Sequence, residues 1–119
     1  MILLFVSCKQ ISKDELVGVY IGHNYSKTVD SITLNSNGVY SRKITFSNNQ
    51  TLFENKGNWE LKGSEILFDN YLVNNDELDS IYKYDERFLS TALFEVQFFL
   101  GSIKIIENHD KNLYLKKVK

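Results

Sequence analysis

The 119-residue chain contains a single cysteine and no proline. One cysteine excludes an internal disulfide and a zinc site built from several cysteines. Without proline, glycine and asparagine are the residues left to mark turns. The 14 basic and 15 acidic side chains nearly cancel, so the whole chain has no field that would attract nucleic acid. Stability must therefore come from apolar burial and backbone pairing, and we expect no nucleic-acid partner.

Long apolar runs are also missing. After residue 6, no stretch approaches the roughly 20 apolar residues that a membrane-spanning helix needs. With 43% hydrophobic residues, the 119-residue chain is nevertheless long enough for one core, and it is too short for two ordinary domains. We therefore expect one domain, over residues 16–119, and a monomer.

The opening stretch MILLFVSCKQ places a small residue, Ser7, directly before Cys8. This order resembles the lipobox of bacterial lipoproteins, in which the cysteine that follows a small residue is lipidated. The resemblance implies that residues 1–8 are a residual or truncated export signal, residues 9–15 a spacer, and Cys8 the lipid anchor. The apolar run is shorter than the roughly 7 to 15 residues of an export signal. The alternative is an edge strand or packed tail in which Cys8 is a small buried hydrophobe.

Two-residue alternation of apolar and polar side chains dominates the rest of the chain. It predicts a strand at Leu16–Gly22 after a helical turn capped by Ser12, and a hairpin around Asn37-Gly38 that links VDSITL to VYSRKITF. In the second of these strands Tyr40, Arg42, Ile44 and Phe46 share one face. A strand follows with Phe53, Gly57, Trp59 and Leu61 inward, and then the short strand EILF.

The pattern weakens between residues 69 and 91, where either a helical turn or an irregular strand at SIYKY is expected. It recovers in ALFEVQFFL, where Ala92, Phe94, Val96, Phe98 and Leu100 share a face, with a turn at Gly101-Ser102. Two more strands, IKIIE and LYLKKV, complete a count of about eight. An open sheet of this size would leave two long unpaired edges. We therefore predict an all-β fold, an up-and-down antiparallel meander that forms a closed or nearly closed barrel.

Three motifs suggest a family. They are Gly18 with Tyr20, Leu34 with Gly38 and Tyr40, and Gly57 with Trp59. This order is similar to that of small bacterial lipocalin-like lipoproteins, including the amino-terminal barrel of NlpE-like copper-resistance lipoproteins, over roughly residues 16–68. The Cys-x-x-Cys typical of NlpE-like barrels is missing, so the resemblance does not imply copper or redox chemistry. The carboxy-terminal half resembles small envelope proteins of the Bacteroidetes type, which implies a location in the bacterial cell envelope, facing the periplasm or the cell surface.

Residues that could carry chemistry are few. His23, the His109-Asp110 pair and the acidic set Asp76, Glu77 and Asp79 lack the spacing of a zinc or calcium site. No nucleophile, phosphate-binding or dinucleotide motif occurs. We therefore expect neither an enzyme nor a metal or other cofactor.

Arg42 is the residue of most interest, because an inward arginine needs a carboxylate from the protein or from a ligand. One interpretation makes Arg42, with Tyr40 and Trp59, a binding site for an acidic or hydrophobic small molecule. The other places Arg42 at a barrel end, with its stem on aromatic rings and its head group in water. An eight-stranded barrel either is filled by side chains or holds one small ligand, and the number of inward aromatic residues favours a filled one.

Three functions follow from these expectations. The first is a membrane-tethered, lipocalin-like binding module without catalytic activity, which contacts a protein partner through its loops or rim. The second is a carrier or sensor of a small hydrophobic or acidic ligand. The third is an inhibitor or immunity protein, for which the irregular segment 69–91 would be suitable.

Overall fold

The computed structural model describes residues 11–78 and 86–119 and contains eight antiparallel strands that form a closed barrel. Each strand pairs with its neighbours in the sequence, and the last pairs with the first, as the meander pattern predicts. The strands are β1 Gly18–His23, β2 Thr28–Leu34, β3 Val39–Phe46, β4 Thr51–Lys62, β5 Glu65–Tyr71, β6 Ser90–Phe99, β7 Ser102–Asn108 and β8 Leu113–Lys117. The predicted all-β barrel of eight strands is confirmed.

Alternation places the apolar side chains inside the barrel. In β4, Phe53, Gly57 and Trp59 are buried while their immediate neighbours are exposed or half-buried, and the other strands repeat this pattern. Aromatic rings fill the middle of the barrel: Phe68 stacks on Tyr71 with ring centroids 4.9 Å apart, and Tyr40 meets Phe68 edge to face at 5.1 Å. These contacts make the barrel a packed core rather than an open cup.

A short helix, α1 (Lys13–Leu16), closes one end of the barrel. Ser12 caps it: the Ser12 hydroxyl accepts a hydrogen bond from Glu15 N, and the Glu15 carboxylate accepts one from Ser12 N. Leu16 is fully buried, its carbonyl accepts a 2.7 Å hydrogen bond from the Tyr20 hydroxyl, and Ile11 packs against the same core. The predicted capped turn is confirmed. We call this end, with the turns after β2, β4 and β6, the α1 end.

Two turns at the α1 end differ in detail from the sequence prediction. The β2–β3 hairpin has a four-residue loop, residues 35–38, in which Gly38 has a positive φ of 83° and the Asn37 side chain accepts a hydrogen bond from Val39 N. The β6–β7 turn consists of Leu100 and Gly101, because Phe99 pairs directly with Ser102. Leu100 is therefore an exposed turn residue, and the prediction that it continues the β6 face of Ala92, Phe94, Val96 and Phe98 is wrong.

The segment between β5 and β6 is only partly regular. β5 continues to Tyr71, three residues further than the pattern EILF indicated, and a 3-10 turn at Glu86–Phe88 precedes β6. Residues 72–78 run along the end opposite α1, where Leu72 and Leu78 pack with Ile44 and Phe53 in a second small core. The possible strand at SIYKY, residues 80–84, lies outside the described residues, and so does Cys8.

Candidate functional site

Three strands place charged side chains at one level inside the barrel. Asp30 on β2, Arg42 on β3 and Glu107 on β7 all lie in phase with the inward apolar residues of their strands. Each is at least nine-tenths buried, and their side chains are wholly out of solvent. We call these three residues, with Tyr25, Tyr71 and Asn74, the polar cluster.

Arg42 has a complete set of partners within the polar cluster. Its Nε donates to Asp30 Oδ1 at 3.0 Å and its Nη2 to Asp30 Oδ2 at 2.7 Å, which is a bidentate ion pair. Its Nη1 donates to the carbonyl oxygen of Leu72, and its guanidinium lies 4.0 Å from the centre of the Tyr71 ring. The carboxylate that an inward arginine requires is therefore supplied by the protein, and the interpretation that placed the head group in water is wrong.

The Glu107 carboxylate accepts hydrogen bonds from three different parts of the chain. Its Oε1 accepts a 2.5 Å hydrogen bond from the Tyr25 hydroxyl, while its Oε2 accepts from the Tyr71 hydroxyl at 3.0 Å and from Asn74 N at 2.8 Å. Arg42 Nη2 is 3.8 Å from the same Oε2. Glu107 thus joins β7 to β5, to the β1–β2 loop and to the segment that closes the barrel.

Asn74 connects that closing segment to the interior. Its Nδ2 donates to Asp30 Oδ2 at 3.1 Å and approaches Thr28 Oγ1 at 3.3 Å. Two residues further on, Asp76 accepts hydrogen bonds from the backbone and hydroxyl of Ser26, at 2.8 and 2.6 Å. Residues 72–76 are thereby held across the end of the barrel opposite α1, directly over the polar cluster.

The charges of the polar cluster do not cancel when every group is ionised. Arg42 contributes one positive charge, whereas Asp30 and Glu107 together contribute two negative charges. Burial raises the pKa of Glu107 to about 7, since a carboxylate without water is unstable, although the Arg42 charge opposes the shift and Asp30 adds to it. Near pH 7 this carboxyl group is therefore divided between its protonated and ionised forms.

Arg42 and the two tyrosines of the cluster hold their usual protonation state more firmly. Burial alone would lower the pKa of Arg42, but the charge and hydrogen bonds of Asp30 raise it well above the usual range. Burial also raises the pKa values of Tyr25 and Tyr71, with the Glu107 charge adding to the shift in both. Arg42 therefore stays charged and both tyrosines stay neutral, whereas burial moves the pKa of Glu107 to near neutral pH.

The three predicted ligand-binding residues all point into the barrel, and each bonds to the protein itself. Besides Arg42, these are Tyr40, whose hydroxyl lies 2.6 and 2.8 Å from the carbonyl oxygens of Asp69 and Asn70, and Trp59, whose Nε1 donates to Asn35 O at 3.0 Å. Tyr40 and Trp59 are buried, and Trp59 lies nearer the α1 end than Arg42 does. Their role in ligand binding stays a prediction.

Each histidine, and Asp76 of the acidic set, contacts a different part of the protein. His109 Nε2 is 2.8 Å from Glu95 Oε2, and His23 stacks on Tyr114 with ring centroids 5.1 Å apart. Asp76 caps the β1–β2 loop, as described above. In residues 11–78 and 86–119, no three His, Cys, Asp or Glu side chains are grouped so that they could bind a metal ion. Over the same residues, no helix has the length and apolarity to cross a membrane.

No protein-family model, curated protein or solved structure matches the chain.

Sequence reasoning found Arg42 but missed both of its acidic partners. The signal was available, since Asp30 alternates in phase with Ile32 and Leu34, and Glu107 with Ile103 and Ile105. Tyr25 and Asn74 lie in irregular segments, where alternation gives no side-chain direction.

Proposed function

We propose that this protein is a membrane-tethered, lipocalin-like barrel of the bacterial cell envelope that acts as a binding module without catalytic activity. The observation that carries the proposal is the filled interior. Aromatic rings occupy the barrel axis, and Arg42 is already paired with Asp30. Binding through loops and rim requires no opening of this core, whereas binding inside the barrel would require several of its contacts to break.

The tether is proposed at Cys8, which precedes the first described residue by a short stretch of chain. The chain joins the barrel at the α1 end, where Ile11 and Leu16 are buried. A lipid at Cys8 would therefore hold the α1 end toward the membrane and present the opposite end, with residues 24–27, 47–50, 72–78 and 109–112, to partners. Two acyl chains on one cysteine would be enough for stable attachment.

Membrane attachment is tested with the gene and its native upstream sequence, expressed in a bacterial host. We expect the wild-type protein in the membrane fraction, carrying the mass of a lipid group, and Cys8→Ala in the soluble fraction. A wild-type protein that is soluble and unmodified would refute the tether.

Binding through the loops is tested by affinity capture from the envelope fraction, with a variant as the matched control. Lys111 lies at the end opposite α1, where its Nζ contacts Asn75 O at 2.8 Å and Glu77 Oε1 at 3.2 Å. We expect a protein partner to be captured by wild type and lost with loop substitutions such as Lys111→Glu. Native mass spectrometry of the same sample separates the main alternative, because a retained small molecule in place of a protein partner would indicate a carrier or sensor.

A further inference from the structure

The tip of the β6–β7 hairpin exposes two large apolar side chains. Phe99 is 73% exposed and Leu100 is 88% exposed, the two highest values among the large hydrophobic residues that the structure describes. The other turns at the α1 end are polar or small, with Asn-Ser-Asn-Gly at residues 35–38 and Gly-Ser at residues 63–64. The apolar tip therefore stands out from its surroundings.

Leu100 also has a backbone conformation that disfavours leucine. Its φ is 50° and that of Gly101 is 78°. A two-residue hairpin turn of type I′, which matches the twist of the strands, requires a positive φ at both residues. Every other non-glycine residue with a positive φ in the described part of the chain is Asn or Asp, the residue types that tolerate it best. Leucine at this position neither favours the turn nor contributes to the core, which points to a role outside folding.

Two lysines line a hollow beside the tip. The shallow hollow is lined by Phe99, Leu100, Lys104 and Lys116, together with Gln97 and Ser102. Lys104 and Lys116 are direct neighbours across β7 and β8. Lys104 and Lys116 are thus the two charged residues among the described residues that line the hollow. Exposed apolar groups flanked by lysine are typical of surfaces that bind the interface of an anionic bilayer.

The topology puts this tip at the end of the barrel where the chain enters. β8 runs antiparallel to β1, so Lys117 pairs with Tyr20 near the start of β1, and the β6–β7 turn lies at the same end as α1. Ten residues precede Ile11, and they include Cys8. A lipid anchor on those residues and the apolar tip would face the same membrane.

We propose that the β6–β7 hairpin tip docks on an anionic lipid bilayer, with Phe99 and Leu100 inserted at the interface and Lys104 and Lys116 against the headgroups. For the orientation of the barrel, this inference rests on the proposed tether at Cys8. Lipid binding by the tip does not depend on the tether, because the tip can bind lipid whether or not Cys8 is acylated.

The test uses the full chain with Cys8→Ser, produced without lipid, and vesicles of about three parts phosphatidylcholine to one part phosphatidylglycerol. The tip variant is Phe99→Ser with Leu100→Asn. We expect it to bind these vesicles about tenfold more weakly than its parent, because two exposed apolar side chains are lost. Asparagine suits the positive φ of residue 100, so loss of binding cannot be attributed to a weakened turn. Urea unfolding of the variant checks this directly.

The matched control is Leu93→Ser, which removes an apolar side chain that is 50% exposed on the outer face of the same strand, away from the tip. We expect its binding to stay within about twofold of the parent. Lys104→Gln and Lys116→Gln should each weaken binding about fivefold on the anionic vesicles and leave binding to pure phosphatidylcholine unchanged. In a Phe99→Trp chain, brominated lipids should quench the fluorescence of the new tryptophan.

Three outcomes would overturn the inference. The tip variant could bind vesicles as well as its parent does. The parent could instead be a dimer that the tip variant dissociates, which would make a second copy of the chain the occupant of the tip. The emission that Phe99→Trp adds to that of the buried Trp59, taken as the difference from the parent spectrum, could be blue-shifted before vesicles are added, which would mean that the chain covers its own tip. Failure of the tether is seen separately, as an unmodified Cys8 in the envelope experiment.

Discussion

Raising the pH from 4.5 to about 8 is expected to destabilise the barrel through Glu107. In the folded protein burial raises the pKa of this group from 4.5 to about 7, so between these values the folded state holds a proton that the unfolded state has lost. Stability from Glu107 is therefore fully present below pH 4.5 and is lost as the pH rises through 7. At about 1.4 kcal/mol per pKa unit, the loss amounts to about 3 kcal/mol.

The assay is urea unfolding at a series of pH values, followed by the fluorescence of Trp59. This residue is the only tryptophan and is 4% exposed, so its emission reports unfolding of the core. Other carboxylates act in the opposite direction. Burial would raise the pKa of Asp76, but hydrogen bonds from the Ser26 hydroxyl and from the backbone N–H groups of Ser26 and Lys27 lower it. The informative quantity is therefore the difference between wild type and Glu107→Gln, an amide of the same shape that does not titrate.

We expect wild type and Glu107→Gln to be about equally stable near pH 4.5, and the variant to be more stable by about 3 kcal/mol at about pH 8. Glu54→Gln is the matched control, because its side chain is 61% exposed, and its pH profile should follow that of wild type. Parallel profiles for wild type and Glu107→Gln would refute the reasoning. The reasoning would also be refuted if the free energy of unfolding of wild type rose above that of Glu107→Gln as the pH rises. That result would mean that Arg42 keeps Glu107 ionised.

Two substitutions test the packing around the polar cluster and the barrel wall, both by urea unfolding. Arg42→Met should cost about 3 to 5 kcal/mol, because it leaves the buried Asp30 carboxylate without its cation. Lys43→Met on the outer face, 54% exposed, should change stability by less than about 1 kcal/mol. Equal effects of the two substitutions would contradict the buried ion pair. Gly57→Ala should cost about 1 to 3 kcal/mol, because its Cβ would lie 2.7 Å from a carbonyl oxygen of β5. Gly63→Asn is the control and should be nearly neutral, because residue 63 has open space and a compatible φ of 63°. A tolerated Gly57→Ala would contradict the close approach of β4 to β5.

The strands and their inward faces could be predicted because each is set by local alternation. Ala92, Phe94, Val96 and Phe98 followed the rule, and the prediction failed at Leu100, where the turn begins one residue earlier than Gly101 suggested. A turn that starts at a leucine with positive φ has no signal in its composition. The structure assigns that residue to an exposed tip, which sequence patterning alone treats as another core position.

The candidate site was only half predictable, for a different reason. The direction of Arg42 follows from its strand, but the identity of its partner depends on which strands become neighbours around a closed barrel. Asp30 is twelve residues away and Glu107 is on a strand near the other end of the chain. Tyr25 and Asn74 reach Glu107 from irregular segments. Side-chain pairs of this kind form only when the barrel closes, and a short stretch of sequence contains no information about which strands then become neighbours.

The seam between β1 and β8 determines the order in which the barrel can be completed. Every other strand pair joins neighbours along the chain, so seven hairpin-like pairings can form as soon as their residues are available. The seam needs Val19 to exchange hydrogen bonds with Val118 and Lys119. Until these last residues are in place, β1 and β7 both present unpaired edges to any neighbouring chain. Separation of the polypeptide from other chains would protect both edges during that interval.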